Sequence, residues 1–194
     1  MEMTGEQLIH ASQADTWAAL NDPEFLKACV PGCETIERTS DTDFAVQMTA
    51  RVGPVSAKFK GKMTLSSLNP PHSYTIAFEG QGGVAGFARG SADVSLTPEA
   101  RDTRLAYKVK ANVGGKLAQI GSRLVDAAAN KVANDFFNAF NEKMTATHAV
   151  EHHEERHPEP VPRDPDLPQA SEASLSFFAA GALVVFVVAL ITLL

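Results

Sequence analysis

A long amphipathic stretch at residues 113–144 constrains the fold more than any other part of the chain. Its apolar residues recur with helical spacing in two adjoining rows, and its opposite side is polar and charged. The rows are Ile120, Leu124, Ala128, Val132, Phe136 and Phe140, and beside them Val125, Ala129, Ala133 and Phe137. A helix of this length, about 45 Å at 1.5 Å per residue, needs a sheet on which to bury that face.

Alternating residues before this stretch predict the sheet. Between Val55 and Leu65, apolar or small residues alternate with lysines and hydroxyl residues, which is typical of a strand with one buried face. Further strands are predicted at 3–12, 33–39, 43–52, 74–78, 87–97 and 104–113. For 87–97 the pattern does not decide which of the two faces is buried. Two short helices follow the first strand, around Trp17 and at 24–29. The predicted class is α+β, with an antiparallel sheet of about six to seven strands around one long C-terminal helix.

The composition divides the chain into three parts. Residues 1–147 form the predicted domain, and residues 148–174, rich in Pro, His and acidic residues, form a flexible linker without a core. Residues 175–194 contain no charge and are long enough to span a bilayer, so they predict a transmembrane anchor. Because the N-terminus is acidic and unlike a signal peptide, we expect a single-pass protein of the cytoplasmic membrane with its N-terminal domain in the cytoplasm.

Charge and cysteine content exclude several classes of protein. The net charge of −6 argues against nucleic-acid binding, which needs a basic excess. Cys29 and Cys33 are too few for a disulfide-stapled domain. Their C-x-x-x-C spacing is half of a zinc site at most, and burial as small apolar residues is the favoured interpretation. No metal site is therefore predicted.

Two other clusters allow a functional and a plainer interpretation. A histidine tract in the predicted linker could bind a metal, although a solvated tract is favoured; it consists of His148, His152, His153 and His157. Several glycines suggest a phosphate loop, namely Gly80, Gly82, Gly83, Gly86 and Gly90. Their spacing fits neither dinucleotide nor Walker motifs, and a tight bend or a close backbone approach to a ligand is favoured.

The predicted inward residues of the strands do not indicate catalysis. They are Phe, Val, Met, Ile and Ala, without a carboxylate pair, a Ser-His-Asp arrangement or a complete metal set, and we expect a protein that is not an enzyme. The predicted outer face carries a lysine stripe, composed of Lys58, Lys60, Lys62, Lys108 and Lys110. This stripe is either ordinary solvated surface or a docking surface for an acidic partner.

Four motifs resemble one known family. They are WAALNDPE running into VPGCE at 17–34, VGPV with FKGK at 52–62, GQGGVAGFA at 80–88 and GGKLAQIG at 114–121. In this order they are similar to the carbon monoxide dehydrogenase G-subunit (CoxG) family, within the helix-grip superfamily of START and plant-pollen-allergen proteins (START/Bet v 1-like, SRPBCC). The resemblance covers residues 1–144, and this family often carries a C-terminal anchor.

This resemblance implies a non-catalytic accessory protein. Proteins of this kind recruit a molybdenum-containing CO dehydrogenase to the cytoplasmic membrane and bind a respiratory quinone in the grip cavity, which links the enzyme to the respiratory chain. Alternatives are a helix-grip enzyme, such as a cyclase or hydrolase, and a membrane scaffold that binds no ligand. The implied cofactor is the quinone as a bound ligand, with no covalent group, and the implied partner is the dehydrogenase.

The apolar inner faces supply the predicted quinone pocket. Its lining residues are Phe44, Met48, Phe59, Met63, Phe78, Tyr107, Leu124, Ala128 and Val132. Small residues at Gly61 and Ala128 leave volume between helix and sheet, and the Tyr107 hydroxyl is suited to donate to a quinone carbonyl. A core filled by its own side chains is the competing interpretation.

Overall fold

The computed structural model describes the backbone of residues 1–154 and the side chains of residues 1–147. The strands are β1 (Glu2–Ile9), β2 (Cys33–Arg38), β3 (Asp43–Val52), β4 (Val55–Asn69), β5 (Ser73–Gln81), β6 (Phe87–Glu99) and β7 (Asp102–Gly114). The helices are α1 (Gln13–Leu20), α2 (Pro23–Cys29), α3 (Lys116–Gln119) and α4 (Ser122–Glu154), and a 3-10 turn lies at Gly83–Ala85. The predicted membrane span at 175–194 lies outside the described residues.

The seven strands form one antiparallel sheet in the order β1-β7-β6-β5-β4-β3-β2. Short connections join the consecutive strands from β2 to β7. The last strand, β7, then pairs with the first strand, β1. The sheet lies against α4, so the predicted α+β architecture is confirmed. In β6 the buried face, which the sequence left open, contains Ala88, Ala92 and Val94. Within residues 1–154, no helix is long and apolar enough to cross a membrane.

The predicted helix at 113–144 is wrong at both of its ends. Residues up to Gly114 continue strand β7, and the short helix α3 precedes a break at Gly121, where φ is +93°. This conformation is strained for residues other than glycine, which explains why glycine occupies the position. The break there separates α3 from α4. At the other end α4 continues to Glu154, beyond the predicted domain boundary at residue 147.

Polar side chains fix the ends of the helices. The Ser12 and Asp22 side chains accept hydrogen bonds from backbone N–H groups at the starts of α1 and α2. Farther along α4, the Asn141 side chain accepts from the His10 N–H at 3.1 Å and donates to the Leu8 carbonyl at 3.0 Å. Asn141 therefore ties α4 to the end of β1.

The core consists of two clusters. The larger packs the aromatic half of α4 against the sheet and α2, and its rings at Phe136, Phe137 and Phe140 are fully buried. The smaller, which we call the distal cluster, contains Ala50, Val52, Phe59, Ala85 and Leu117. Ala128 and Val132 of α4 pack against the distal cluster.

A tight contact between β6 and β7 gives a test of the sheet packing. A Cβ at Gly90 would lie 2.0 Å from the Lys110 carbonyl oxygen and 2.9 Å from the Phe78 ring. We therefore expect Gly90→Ala to lower the free energy of unfolding by about 1–3 kcal/mol, as overpacking does. Urea denaturation followed by circular dichroism would measure the change. The control is Ser91→Ala at the next position, expected within about 0.5 kcal/mol of the parent; an unchanged Gly90→Ala variant would contradict the packing.

Candidate functional site

The family motifs converge on the distal cluster. Its buried residues include Val52 from VGPV, Phe59 from FKGK, Ala85 from GQGGVAGFA and Leu117 from GGKLAQIG. Val52 ends β3 and Phe59 lies in the first half of β4, Ala85 lies in the β5–β6 connection and Leu117 in α3 after β7, all at one end of the sheet. The motifs that are separate in sequence therefore build one site.

Glycines allow the close contacts within this site. A Cβ at Gly82 would lie 2.3 Å from the Phe59 ring, so the ring packs directly on the Gly82 backbone. The Gly86 φ is +121°, and a Cβ there would lie 1.9 Å from the Gly114 carbonyl oxygen. The glycine-rich segments at 80–90 and 114–121 thus pack against each other, and a larger residue at either contact would separate them.

A small opening lies next to the distal cluster, between α4 and β3. Its volume is about 270 Å³, close to the lower end of the range for small-molecule pockets, about 300–1,000 Å³. It is lined by Pro31, Gly32, Met48, Thr49, Ala50, Arg51, Ala128, Lys131, Val132 and Asp135. We call this the grip opening. The Lys131 ammonium pairs with the Asp135 carboxylate one turn along α4, so the rim of the opening is polar and its base is apolar.

The turn after α2 closes one side of the grip opening. Gly32 has φ +76°, its carbonyl accepts a hydrogen bond from the Thr49 N–H at 2.9 Å, and a Cβ on it would lie 2.2 Å from the Thr49 carbonyl oxygen. The Pro31-Gly32 turn of the VPGC motif is therefore docked onto β3. The sequence analysis did not predict that Pro31 and Gly32 line an opening. The Pro-Gly pair in the VPGC motif was the feature that could have indicated a tight turn here.

The residues predicted to line the quinone pocket fall into three groups. Five of them are buried in the larger cluster, namely Phe44, Met48, Met63, Phe78 and Tyr107, and Met48 also reaches the grip opening. Phe59 is buried in the distal cluster, with Ala128 and Val132 packed against it. Leu124 is 51% exposed, so its predicted place on the buried face of the helix is wrong. It lies in the first turn of α4, because the helix begins only at Ser122.

Tyr107 is held firmly among its neighbours. Its ring stacks on Phe137 with 5.7 Å between centroids, and a Cβ on the paired residue Gly5 would lie 2.2 Å from its hydroxyl oxygen. Burial raises the pKa of Tyr107 above its usual value, which keeps the phenol protonated at neutral pH. Tyr107 lines none of the grip opening.

The five lysines of the predicted stripe are on the outer face of the sheet, and three of them have carboxylate partners. The Lys58 ammonium lies 3.0 Å from Glu34, and longer pairs join Lys62 to Asp43 at 3.7 Å and Lys110 to Glu2 at 4.0 Å. Hydrogen bonds from Thr49, and then from Lys58, hold the pKa of Glu34 below its usual range. Within residues 1–147, neither Lys60 nor Lys108 forms an ion pair.

Lys60 lies in a groove of about 510 Å³ on this face. Its cross-strand neighbours are Gln47 and Gln81, so no carboxylate stands directly beside it in the sheet. Lys58 and Lys62 line the same groove, together with Glu34 and Glu79. Of the stripe, the segment around Lys60 is therefore best placed to meet an acidic partner.

Comparisons with known proteins agree with this arrangement. Residues 5–145 match the model of the CoxG family, described as the G subunit of carbon monoxide dehydrogenase. The chain belongs to this family. The resemblance given by the motifs is thereby confirmed, and a role as an accessory to CO dehydrogenase is what membership suggests. A search of curated protein sequences finds no match to the chain.

Solved structures share the fold. A conserved protein from Geobacillus kaustophilus is 26% identical with a TM-score of 0.72, and the match covers 76% of this chain and 97% of that one. A Mycobacterium smegmatis protein is 20% identical with a TM-score of 0.57, covering 76% and 92%. An aromatase/cyclase from a Streptomyces strain is 13% identical with a TM-score of 0.58, covering 77% and 95%. These neighbours support the helix-grip architecture.

No cluster of three or more His, Cys, Asp and Glu side chains that could hold a metal occurs among the described residues. The four histidines of the predicted tract lie outside the residues whose side chains are described. Cys29 is buried, Cys33 is half-buried, and both thiols are free.

The two thiols give a pH-dependent test of this region. Burial raises the pKa of Cys29 and of Cys33 from 9.0 to about 11, opposed in part by Lys143 and by Lys27 respectively. The folded state binds these thiol protons more tightly than the unfolded state does. Their contribution to the free energy of unfolding is therefore complete below pH 9 and is lost as the pH rises toward 11. At pH 8 we expect iodoacetamide to modify the native chain far more slowly than the urea-unfolded chain, as measured by mass spectrometry. Equal rates would contradict the buried thiols.

Proposed function

We propose that this protein recruits a molybdenum-containing CO dehydrogenase to the cytoplasmic membrane and carries a respiratory quinone between α4 and the sheet. Membership of the CoxG family supports the accessory role. The observation that carries the ligand proposal is the grip opening, where Met48, Ala128 and Val132 meet beside the distal cluster. An apolar pocket with few polar contacts is what a quinone needs.

The opening suits one end of a long apolar ligand. Its volume of about 270 Å³ accommodates a ring or a short section of an isoprenoid tail but not a whole quinone with its tail. Met48 can adapt its flexible side chain to either group. For the ligand to enter more deeply, the half-buried Val132 side chain must move aside. This side chain packs against the distal cluster but is not one of its buried members. The proposed ligand therefore enters beside the thin, alanine-rich section of α4.

A role without catalysis is part of the proposal. Among the inward-facing residues, the described domain presents apolar side chains, with Tyr74 and Tyr107 as buried phenols whose pKa values burial raises. Phenols that stay protonated can donate hydrogen bonds but are poor bases at neutral pH. This chemistry favours binding over acid–base catalysis.

Substitution of Ala128 tests the ligand site. Ala128→Phe places a ring in the grip opening, so the quinone recovered per protein should fall, while the melting temperature should stay at the parent value because the ring fills open space. Full-length protein would be purified and its organic extract quantified by mass spectrometry. Ala127→Phe is the matched control, because Ala127 is exposed on the same helix. Membrane lipid that co-purifies non-specifically should be the same for both variants.

The result distinguishes a ligand site from a filled core. In a tightly packed interface, Ala128→Phe would cost about 1–3 kcal/mol and lower the melting temperature. If the variant were destabilised and still carried as much quinone as the parent, the ligand would not lie between α4 and β3.

Charge reversal on the outer face tests the enzyme partner. Lys60→Glu should slow association with the dehydrogenase at low salt, because exposed charges mainly speed encounter and are screened beyond about 10 Å at 0.1 M salt. Surface plasmon resonance at several salt concentrations would give the association rate. Arg101→Glu makes the same charge change in the β6–β7 turn and should leave the rate unaltered. An identical salt dependence for both variants would dismiss the stripe as docking surface.

A further inference from the structure

The end of the sheet that holds the distal cluster carries several basic side chains that form no ion pair within residues 1–147. Three segments meet there, at 50–62, 80–90 and 110–125. Three basic residues of these segments are paired, Lys58 with Glu34, Lys62 with Asp43 and Lys110 with Glu2. Outside the lysine stripe the segments also carry Arg51, Arg89, Lys116 and Arg123, none of which forms an ion pair within residues 1–147.

The same end exposes large apolar side chains. Val84 is 83% exposed in the 3-10 turn, Leu124 is 51% exposed in the first turn of α4, and Phe87 is 41% exposed at the start of β6. Of the large hydrophobic side chains exposed in the described domain, only Leu8 lies at the opposite end of the sheet. Exposed apolar side chains concentrated in this way mark an interaction surface.

The backbone presents these side chains outward. Ala85 and Leu117 are buried in the distal cluster, and their chain neighbours Val84 and Lys116 are exposed on the outside of it. Gly83 with φ +59° and Gly86 with φ +121° form the tight turn around Val84. The turn therefore projects one apolar side chain, and it contacts helix α3, which carries the exposed Lys116.

We propose that this end of the domain docks on an anionic lipid bilayer, with Val84 and Leu124 entering the boundary between head groups and acyl chains. Apolar side chains surrounded by Lys and Arg are typical of segments that lie in this interface. A protein interface is the alternative, and the dependence on anionic lipid measured below distinguishes the two. This surface is additional to the quinone site, and its unpaired basic residues, Arg51, Arg89, Lys116 and Arg123, are distinct from the lysine stripe proposed for the enzyme partner.

The position of the docking surface is compatible with the predicted anchor. α4 begins at the docking end and runs for 33 residues, about 50 Å at 1.5 Å per residue. Between Glu154 and Leu175 the chain has a maximum reach of about 70 Å. A span inserted at 175–194 would therefore permit the docking end to reach the same bilayer.

Tryptophan scanning of the full-length protein in vesicles tests the docking. Val84→Trp would be reconstituted in phosphatidylcholine vesicles with and without phosphatidylglycerol, using lipids brominated on their acyl chains. We expect the tryptophan introduced at position 84 to be quenched in the anionic vesicles. Leu8→Trp is the matched control and should behave like the parent chain, whose single Trp17 is buried.

Charge and salt provide the second readout. Lys116→Gln combined with Arg123→Gln, in the Val84→Trp background, should lower the ratio of docked to undocked protein roughly 25-fold, which corresponds to about 1 kcal/mol per basic residue. Raising the salt from about 0.1 M to about 1 M should act in the same direction, because the Debye length falls from about 10 Å to about 3 Å.

Two results would overturn the proposal. One is equal quenching at positions 84 and 8. The other is quenching at position 84 that neither anionic lipid nor salt changes. If the tryptophan at position 84 were shielded only when the purified dehydrogenase is added, this end would be a protein interface instead of a lipid-docking surface.

Discussion

Burial of the aromatic half of α4 against the sheet is the interaction on which the structure depends. Phe136, Phe137 and Phe140 are fully buried, and each contributes about 1.5–3 kcal/mol relative to an exposed ring. The Phe25 ring of α2 meets Phe140 edge to face at 5.2 Å, so α2 is held by the same aromatic group. Without α4, only the short helices α1 and α2 would remain to cover the inner face of the sheet.

The regular parts of this fold could be predicted from sequence because their hydrophobic periods are undisturbed. In β4, Phe59, Met63 and Leu65 are buried and the lysines between them are exposed, as period-two alternation requires. The start of α4 could not be predicted in this way. Apolar residues continue at helical spacing through Leu117 and Ile120, and only the positive φ of Gly121 interrupts them. A glycine within a helical pattern does not by itself reveal such a break.

The site was less predictable than the fold. Side-chain periodicity shows which face of a strand or helix is buried, but it does not show which residues along that face meet in one site. The sequence placed Phe44 and Ala128 in one pocket because both face inward. In the structure Phe44 belongs to the larger cluster and Ala128 packs against the distal one. Pro31 reaches the grip opening only through the docking of the Pro31-Gly32 turn on Thr49, a long-range contact without a local pattern.

The alanines in α4 have a consequence for how the domain opens. Ala128, Ala129 and Ala133 separate the aromatic half of the helix from the half that contacts the distal cluster. Cooperative units in proteins are contiguous groups with dense apolar contact, and the sparsely packed ones exchange their amide hydrogens first. We therefore expect amide hydrogens in α3 and in the first turns of α4 to exchange before those of the aromatic half. Local opening at the end that carries the site would then leave the packing of Phe136, Phe137 and Phe140 intact.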